Sequence, residues 1–169
     1  MLRVDLRELT HGPMDTGGEI APGDPLLAGL DVTLAAPVQV HGRLQATGED
    51  RYYWHGTLRT SVQAECRRCL VPVTVPVTAE VSALFTRDPD SGDDPDAYPL
   101  APDATEIDLG PAVREELLLS APRYVVCGDE CKGLCPQCGT DLNTGACGCV
   151  PSVDPRWQPL RSLKDTLPS

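Results

Sequence analysis

Residues 71–85 read VPVTVPVTAEVSALF, in which an apolar side chain occupies every odd position and a polar residue or proline nearly every even one. A period of two is typical of a β-strand that buries one face. The same alternation occupies residues 54–64 and 32–46, and the connections between the three runs are short. Consecutive strands with short connections form an antiparallel meander. The sequence therefore predicts an α+β, β-rich fold built on an antiparallel meander sheet.

Prolines interrupt these runs and restrict where they can pair. Pro37, Pro72 and Pro76 have no backbone N–H to donate. We therefore expect them at sheet edges, strand ends or bulges.

One or two short helices are expected after the sheet, followed or preceded by a cysteine-rich, zinc-binding C-terminal segment. Apolar residues four apart form a stripe over residues 109–120, and Pro111 falls in the first turn of this segment. In the tail, Asp154-Pro155 resembles a helix start, and leucines follow at i, i+3 and i+7. The pattern predicts a helix near 109–120 and a second helical piece within 154–169.

The charge of the chain is strongly acidic but unevenly distributed. The 169 residues include 14 basic and 25 acidic ones, a formal net charge of −11. This charge argues against a general electrostatic grip on nucleic acid or anionic membrane. Eight of the acidic residues lie between Asp88 and Asp108, where no basic residue occurs. Residues 87–106 are predicted to be an acidic loop, either simply solvated or bound to a partner, so a small basic patch elsewhere is not excluded.

The N-terminal residues indicate the compartment. Arg3, Asp5 and Arg7 place charges where a signal peptide would be apolar, and no window resembles a membrane helix. We expect a cytoplasmic protein without a membrane partner. Cytoplasmic thiols stay reduced, so clustered cysteines are expected to bind metal rather than form disulfides.

The eight cysteines fall into four closely spaced pairs. These pairs are Cys66 with Cys69, Cys127 with Cys131, Cys135 with Cys138, and Cys147 with Cys149. Such spacing lets one tight turn present two thiolates to a single tetrahedral zinc ion. Eight thiolates complete two four-thiolate sites, so two structural Zn²⁺ ions are the expected cofactors.

The spacing leaves open which pairs share an ion. The last two pairs lie within one short segment, and closing a short loop costs less entropy than closing a long one. This favours one site from the last two pairs and a second from Cys66, Cys69, Cys127 and Cys131, which would tie a strand hairpin to the C-terminal segment. An interleaved arrangement is the alternative.

The cysteine sites do not resemble a catalytic centre. Zinc with four thiolate ligands has no open position for a water molecule, and no Ser/His/Asp arrangement, phosphate loop or carboxylate pair is recognisable. We expect no enzymatic activity and no small-molecule substrate. A thiol redox protein is the third hypothesis for the function. It is disfavoured because Cys66 follows a strand pattern without a surrounding βαβ unit. The predicted division is a β-rich domain over 1–126, a zinc knuckle over 127–150 and a basic tail over 151–169.

The cysteine motifs resemble those of a known family. The chain contains Cys66-Arg67-Arg68-Cys69 after a strand, then Lys132-Gly133-Leu134-Cys135-Pro136 and a closing Cys147-Gly148-Cys149. Together with the tail at 154–163 they resemble the YceD family over about residues 28–167. The family is named for the accumulation of large-subunit ribosomal RNA. The resemblance implies a factor needed for 23S rRNA synthesis, processing or stability, and brings no catalytic residues with it.

The leading hypothesis is a non-enzymatic ribosome-biogenesis factor that contacts rRNA or a pre-ribosomal particle, directly or through a protein. The candidate contact residues are Arg67, Arg68, Lys132, Arg156, Arg161 and Lys164. An alternative interpretation of Arg67 and Arg68 is that they offset the negative charge of a zinc–thiolate site. The alternative function is an acidic adaptor that binds a basic ribosomal protein or an rRNA-processing enzyme without touching RNA.

Overall fold

A computed structural model of the protein describes residues 2–88, 97–150 and Arg156. The described chain contains eight β-strands, one α-helix and two short 3-10 turns. The strands are β1 (Arg3–Asp5), β2 (Met14–Ile20), β3 (Thr33–Leu34), β4 (Val38–Gly48), β5 (Arg51–Glu65), β6 (Pro72–Thr86), β7 (Ala97–Pro99) and β8 (Glu106–Asp108). The helix α1 spans Gly110–Ser120, and the 3-10 turns span Glu8–His11 and Pro25–Leu27.

The predicted meander is confirmed. Strands β4, β5 and β6 pair antiparallel in chain order, and β2 extends the sheet antiparallel to β4. Strands β5 and β6 pair along their whole length, from Arg51 opposite Thr86 to Glu65 opposite Pro72. The β5–β6 connection therefore lies at one end of the sheet and carries the first cysteine pair.

The structure divides one predicted strand in two and places the prolines where they were expected. The run over 32–46 is broken at Pro37 into β3 and β4, because proline cannot donate a ladder hydrogen bond. Both pieces pair with β5, β4 with residues 51–59 and β3 with Val62 and Gln63. Pro72 begins β6, and Pro76 pairs with β5 in a stretch of β6 that has no second neighbour among the described strands.

The predicted acidic loop over 87–106 is partly a strand. Residues 89–96 lie outside the described part of the chain, but β7 pairs parallel to the end of β6. Tyr98 in β7 stacks on Phe85 in β6 with ring centroids 5.3 Å apart. Arg87 is bound to Asp50, and it donates a hydrogen bond to the carbonyl of Ala104 at 2.7 Å. These contacts hold the described parts of the segment against the sheet.

The core lies between the inner sheet face and α1. Its fully or nearly fully buried members include Val40, Leu44, Trp54, Leu58, Val81, Phe85, Val113 and Leu117. The helix agrees with the prediction near 109–120, and Pro111 stands in its first turn. Strands β1 and β8 form a separate pair that brings Ile107 into the same core. The second helix predicted within 154–169 lies outside the described residues apart from Arg156.

No helix in the described part of the chain is both long and apolar enough to cross a membrane. After α1 the chain returns to the sheet end that carries the first cysteine pair. There the backbone N–H of Arg67 donates to the carbonyl of Val125 at 2.9 Å. This hydrogen bond places the C-terminal cysteines beside the β5–β6 turn.

Candidate functional site

The β5–β6 turn presents two sulfurs to the same side. The backbone N–H of Leu70 donates to the carbonyl of Cys66 at 2.8 Å, and the N–H of Cys66 donates to the carbonyl of Val71 at 2.9 Å. Leu70 adopts a left-handed backbone conformation with φ of +62°, which closes the turn tightly. Cys66 and Cys69 are both buried at the base of the turn.

Two cysteines from the C-terminal segment complete the first cluster. The sulfur of Cys131 lies 3.8 Å from that of Cys66, and the sulfur of Cys127 lies 3.5 Å from that of Cys69. All four sulfurs lie within 4.8 Å of one another. A tetrahedral ion with metal–sulfur bonds of about 2.3 Å needs sulfurs about 3.8 Å apart. The four residues could therefore hold one metal ion, and all eight cysteines of the chain are free of disulfides.

The second cluster consists of Cys135, Cys138, Cys147 and Cys149, whose sulfurs also lie within 4.8 Å of one another. The N–H of Gly139 donates to the carbonyl of Cys135 at 2.9 Å, and Gly139 has φ of +73°. A left-handed residue is needed to close this turn, and glycine adopts that conformation without strain. The structure thus groups the cysteines as the spacing favoured, and not in the interleaved arrangement.

The thiols of the first cluster differ in pKa. Burial acts to raise the pKa of Cys66, but backbone hydrogen bonds from Cys69, Arg68 and Cys127 lower it to about 6. In contrast, hydrogen bonds that the Cys127 thiol donates to Cys131 and Cys69, together with burial, raise the pKa of Cys127 to about 12. The Cys66 thiolate is therefore favoured over the Cys127 thiolate, and a cation among the sulfurs would stabilise both.

The second cluster shows the same division. Hydrogen bonds from the hydroxyl and the backbone of Thr140 lower the pKa of Cys138 to about 6. The hydrogen bond with Cys138, together with burial, raises the pKa of Cys149 to about 12. A metal ion binds thiolates and releases their protons, so it would supply the missing positive charge in both clusters.

The two clusters differ in exposure. In the first, Cys66, Cys69 and Cys131 are buried and pack with Val73 and Leu134. In the second only Cys135 is buried, and Cys138 is exposed. With every sulfur used as a ligand, neither cluster offers an open coordination position for a water or a substrate. Both therefore suit a structural metal ion.

The predicted contact residues have different environments. The guanidinium of Arg67 lies over the ring of Tyr124, 4.2 Å from its centroid, and Tyr124 is 77% exposed. Arg68 is turned toward the protein, where its Nη1 donates to the carbonyls of Asp129 at 3.1 Å and Cys131 at 3.0 Å. Arg67 is thus available at the surface of the turn, whereas the guanidinium of Arg68 holds the first cluster together.

Of the four other predicted contact residues, two belong to the described part of the chain. Lys132 is exposed directly after Cys131 of the first cluster, and its backbone N–H donates to the side chain of Asn143 at 2.8 Å. Arg156 is exposed, while Arg161 and Lys164 lie outside the described residues. Among the described residues, the structure therefore brings Arg67 and Arg68 to one turn.

Sequence reasoning overlooked two side chains near the clusters. Tyr124 precedes the first C-terminal cysteine by three positions, and only its packing with Arg67 reveals its place. Asn143 lies between Cys138 and Cys147, yet it contacts the other cluster, so no local spacing could have signalled its partner.

Comparisons with known proteins agree with the motif resemblance. The model of the family described as "Large ribosomal RNA subunit accumulation protein YceD" matches residues 54–164. An uncharacterised protein of Mycobacterium tuberculosis is 32% identical over 96% of this chain and 77% of its own length. A chloroplastic protein of Zea mays, named large ribosomal RNA subunit accumulation protein YCED homolog 1, is 29% identical over 92% of this chain and 58% of its own length. No solved structure matches the chain. The family match covers more than half of the sequence and includes both cysteine clusters, so the chain belongs to the YceD family.

Proposed function

We propose that this protein is a non-enzymatic cytoplasmic factor that supports the accumulation of 23S rRNA, and that two zinc ions stabilise its contact surface. The observation that carries the proposal is the pair of closed four-cysteine clusters within the region matched to a family named for large-subunit rRNA accumulation. Closed sites stabilise structure and offer no position for chemistry on a substrate.

Zinc is the metal that best fits the donor set. Four sulfur ligands in a tetrahedral arrangement select zinc or iron–sulfur chemistry over magnesium, calcium or manganese. The pairs lie on tight turns of the kind seen in structural zinc sites. Elemental analysis and native mass spectrometry of the purified protein test this assignment. Two zinc ions per chain are expected, whereas iron with visible absorption, or a metal-free folded protein, would refute it.

The surface that we propose for the contact lies on the β5–β6 turn. Arg67 and Tyr124 form an exposed cation–aromatic pair, and Leu70, three residues after Arg67 on the same turn, is 56% exposed. Unpaired RNA bases stack on tyrosine rings and on guanidinium planes, and arginine also binds phosphate. These three side chains, with Lys132 and the tail arginines and lysine as further candidates, suit an RNA segment of a pre-ribosomal particle.

A complementation experiment tests the contact. Cells lacking the chromosomal copy receive the wild-type gene, Arg67→Glu, Tyr124→Ala or the control Arg59→Glu, which changes an exposed arginine on β5. We expect reduced 23S rRNA relative to 16S rRNA with the first two variants and normal levels with the control. Thermal unfolding of each purified variant separates a lost contact from a lost fold. Normal 23S rRNA in both Arg67→Glu and Tyr124→Ala would remove the contact proposal.

The net charge of −11 supports a second candidate, an adaptor for a basic ribosomal protein or a processing enzyme. Crosslinking in cells, followed by identification of both RNA and protein partners, discriminates between the two. Crosslinks to 23S rRNA at Tyr124 support direct contact. Crosslinks to a basic protein alone, with binding that weakens as salt rises, support the adaptor.

A further inference from the structure

Asn143 belongs to the loop of the second cluster, but its side chain faces the first. Its Nδ2 lies 3.6 Å from the sulfur of Cys131, and its Oδ1 accepts a hydrogen bond from the backbone N–H of Lys132 at 2.8 Å. The N–H of Lys132 can only donate, so it must face the amide oxygen. The amide nitrogen is therefore the group directed at the sulfur.

The orientation of this amide is fixed from within its own loop. The carboxylate of Asp141 accepts from Nδ2 of Asn143 at 2.7 Å and from the backbone N–H of Asn143 at 2.9 Å. Asp141 itself pairs with Leu134 in an isolated β-bridge. The donor to Cys131 is thus held by the strand-like pairing that closes the second cluster.

The backbone of the same loop docks on the β5–β6 turn. The N–H of Leu134 donates to the carbonyl of Arg68 at 2.8 Å, and the side chain of Leu134 packs against Cys66, Cys69 and Cys131. At Gly133, with φ of +74°, a Cβ would lie 2.9 Å from the carbonyl oxygen of Arg68. This close approach leaves space for glycine only.

We propose that the two metal sites are coupled, and that Asn143 is the positioning residue through which the second site stabilises the first. The inference rests on the metal binding proposed above. An ion in the second site fixes the segments that carry Leu134 and Asn143. Leu134 then packs against Cys131, and Asn143 directs its amide nitrogen at the sulfur of the same cysteine. Coupling of binding free energies is reciprocal, so an ion in the first site favours binding in the second.

A Zn²⁺ titration of the wild-type chain tests the coupling, with each site's own affinity taken from the chain that lacks the other site (Cys147→Ser or Cys66→Ser). Metal-free protein is loaded with increasing Zn²⁺, and native mass spectrometry counts chains with no, one and two ions. Coupled sites give fewer singly loaded chains than independent binding with the same two affinities allows. A singly loaded population at or above the independent level would overturn the proposal.

Variants then test the role of Asn143. We expect Asn143→Ala to weaken Zn²⁺ retention at the first site by about 10- to 100-fold against a competing chelator, as loss of an outer hydrogen bond to a ligand does. Gln137→Ala is the matched control, since its side chain donates to the carbonyl of Val150, away from the first cluster. Cadmium-113 resonances, assigned with Cys66→Ser and Cys147→Ser, report which site has lost its ion.

The outcomes separate this inference from the proposed function. If wild-type protein binds two zinc ions and Asn143→Ala retains both as Gln137→Ala does, the positioning role is wrong and the structural zinc sites stand. If wild-type protein binds no zinc at all, both proposals fail together. Selective loss of the first ion in Asn143→Ala supports the coupling.

Discussion

The guanidinium of Arg68, on the β5–β6 turn, donates a hydrogen bond to the backbone carbonyl of Cys131 at 3.0 Å. A second bond from the same nitrogen reaches the carbonyl of Asp129 at 3.1 Å. Arg68 therefore joins the two chain segments that supply the first cluster, whereas the neighbouring Arg67 packs on Tyr124 at the surface. Two adjacent arginines in one motif have different roles.

We expect Arg68→Ala to lower the free energy of unfolding by about 1.5–3 kcal/mol, because hydrogen bonds from a charged donor are lost and two carbonyls lose their partner. Chemical denaturation measures this change. Arg67→Ala is the control, and it should cost only about 0.5–1 kcal/mol, the value of an exposed cation–aromatic pair. Equal losses in the two variants would contradict the assignment of Arg68 as the structural arginine.

A second prediction concerns the packing of Trp54. Its buried indole lies against Gly42 and Gly56, which face each other on β4 and β5, and its N–H donates to the hydroxyl of Thr16 at 2.8 Å. A Cβ at Gly42 would lie 2.6 Å from the indole nitrogen and 2.7 Å from the carbonyl oxygen of His55.

Gly42→Ala should therefore destabilise the protein by about 1–3 kcal/mol, since the indole and the sheet backbone must both shift. Gly48→Ala serves as the control, because a Cβ at that position on the same strand meets nothing within 4 Å. Urea denaturation of both variants makes the comparison. The packing argument fails if Gly42→Ala is as stable as Gly48→Ala.

The parts of the fold that local patterns specify were predictable. Alternation over 54–64 and 71–85 specifies which face is buried, and short connections specify antiparallel pairing. Residues 109–120 likewise show the spacing of a helix, and α1 forms there. The strand β7 was not predictable, because its three residues carry no alternation of their own and pair only through Phe85 and its neighbours.

In the candidate site, too, the local features were predictable and the contacts between distant segments were not. Cysteine spacing and loop length favoured the two groups of four that the structure brings together. The hydrogen bond from Asn143 to Cys131 joins the loop of one group to a sulfur of the other. Contacts of this kind depend on how two turns dock in space, so they require the folded chain.

Metal removal should affect the two parts of the molecule differently. Residues 121–150 contain no strand or helix, and Leu134 paired with Asp141 is the isolated bridge there. The cysteines form a cluster of buried residues separate from the main core. Chelation is therefore expected to unfold residues 125–150 and to leave the β4–β5–β6 meander folded.

Hydrogen exchange with mass spectrometry checks this expectation. Protection should fall in peptides covering 125–150 and persist in peptides from β4 to β6, and added Zn²⁺ should restore it. Loss of protection across the meander would show that the sheet depends on the metal. Full protection of 125–150 without metal would show that the clusters contribute little to stability.

The last prediction separates stability from function at Leu70. This residue has φ of +62°, a conformation that costs a non-glycine residue about 1 kcal/mol, and its side chain is 56% exposed. An exposed leucine in a strained conformation contributes little to its own fold. Leu70→Gly should therefore raise the free energy of unfolding by about 0.5–1 kcal/mol, while lowering 23S rRNA accumulation if Leu70 belongs to the contact surface.

Leu70→Ala completes the comparison, because alanine removes the side chain and keeps the strain. We expect its stability to stay near that of the wild type and its 23S rRNA level to fall as far as that of Leu70→Gly. A defect shared by a stabilised and an unchanged variant cannot come from unfolding, so it would place the leucine side chain at the contact. Normal 23S rRNA in both variants would exclude Leu70 from that surface and leave Arg67 and Tyr124 as its proposed members.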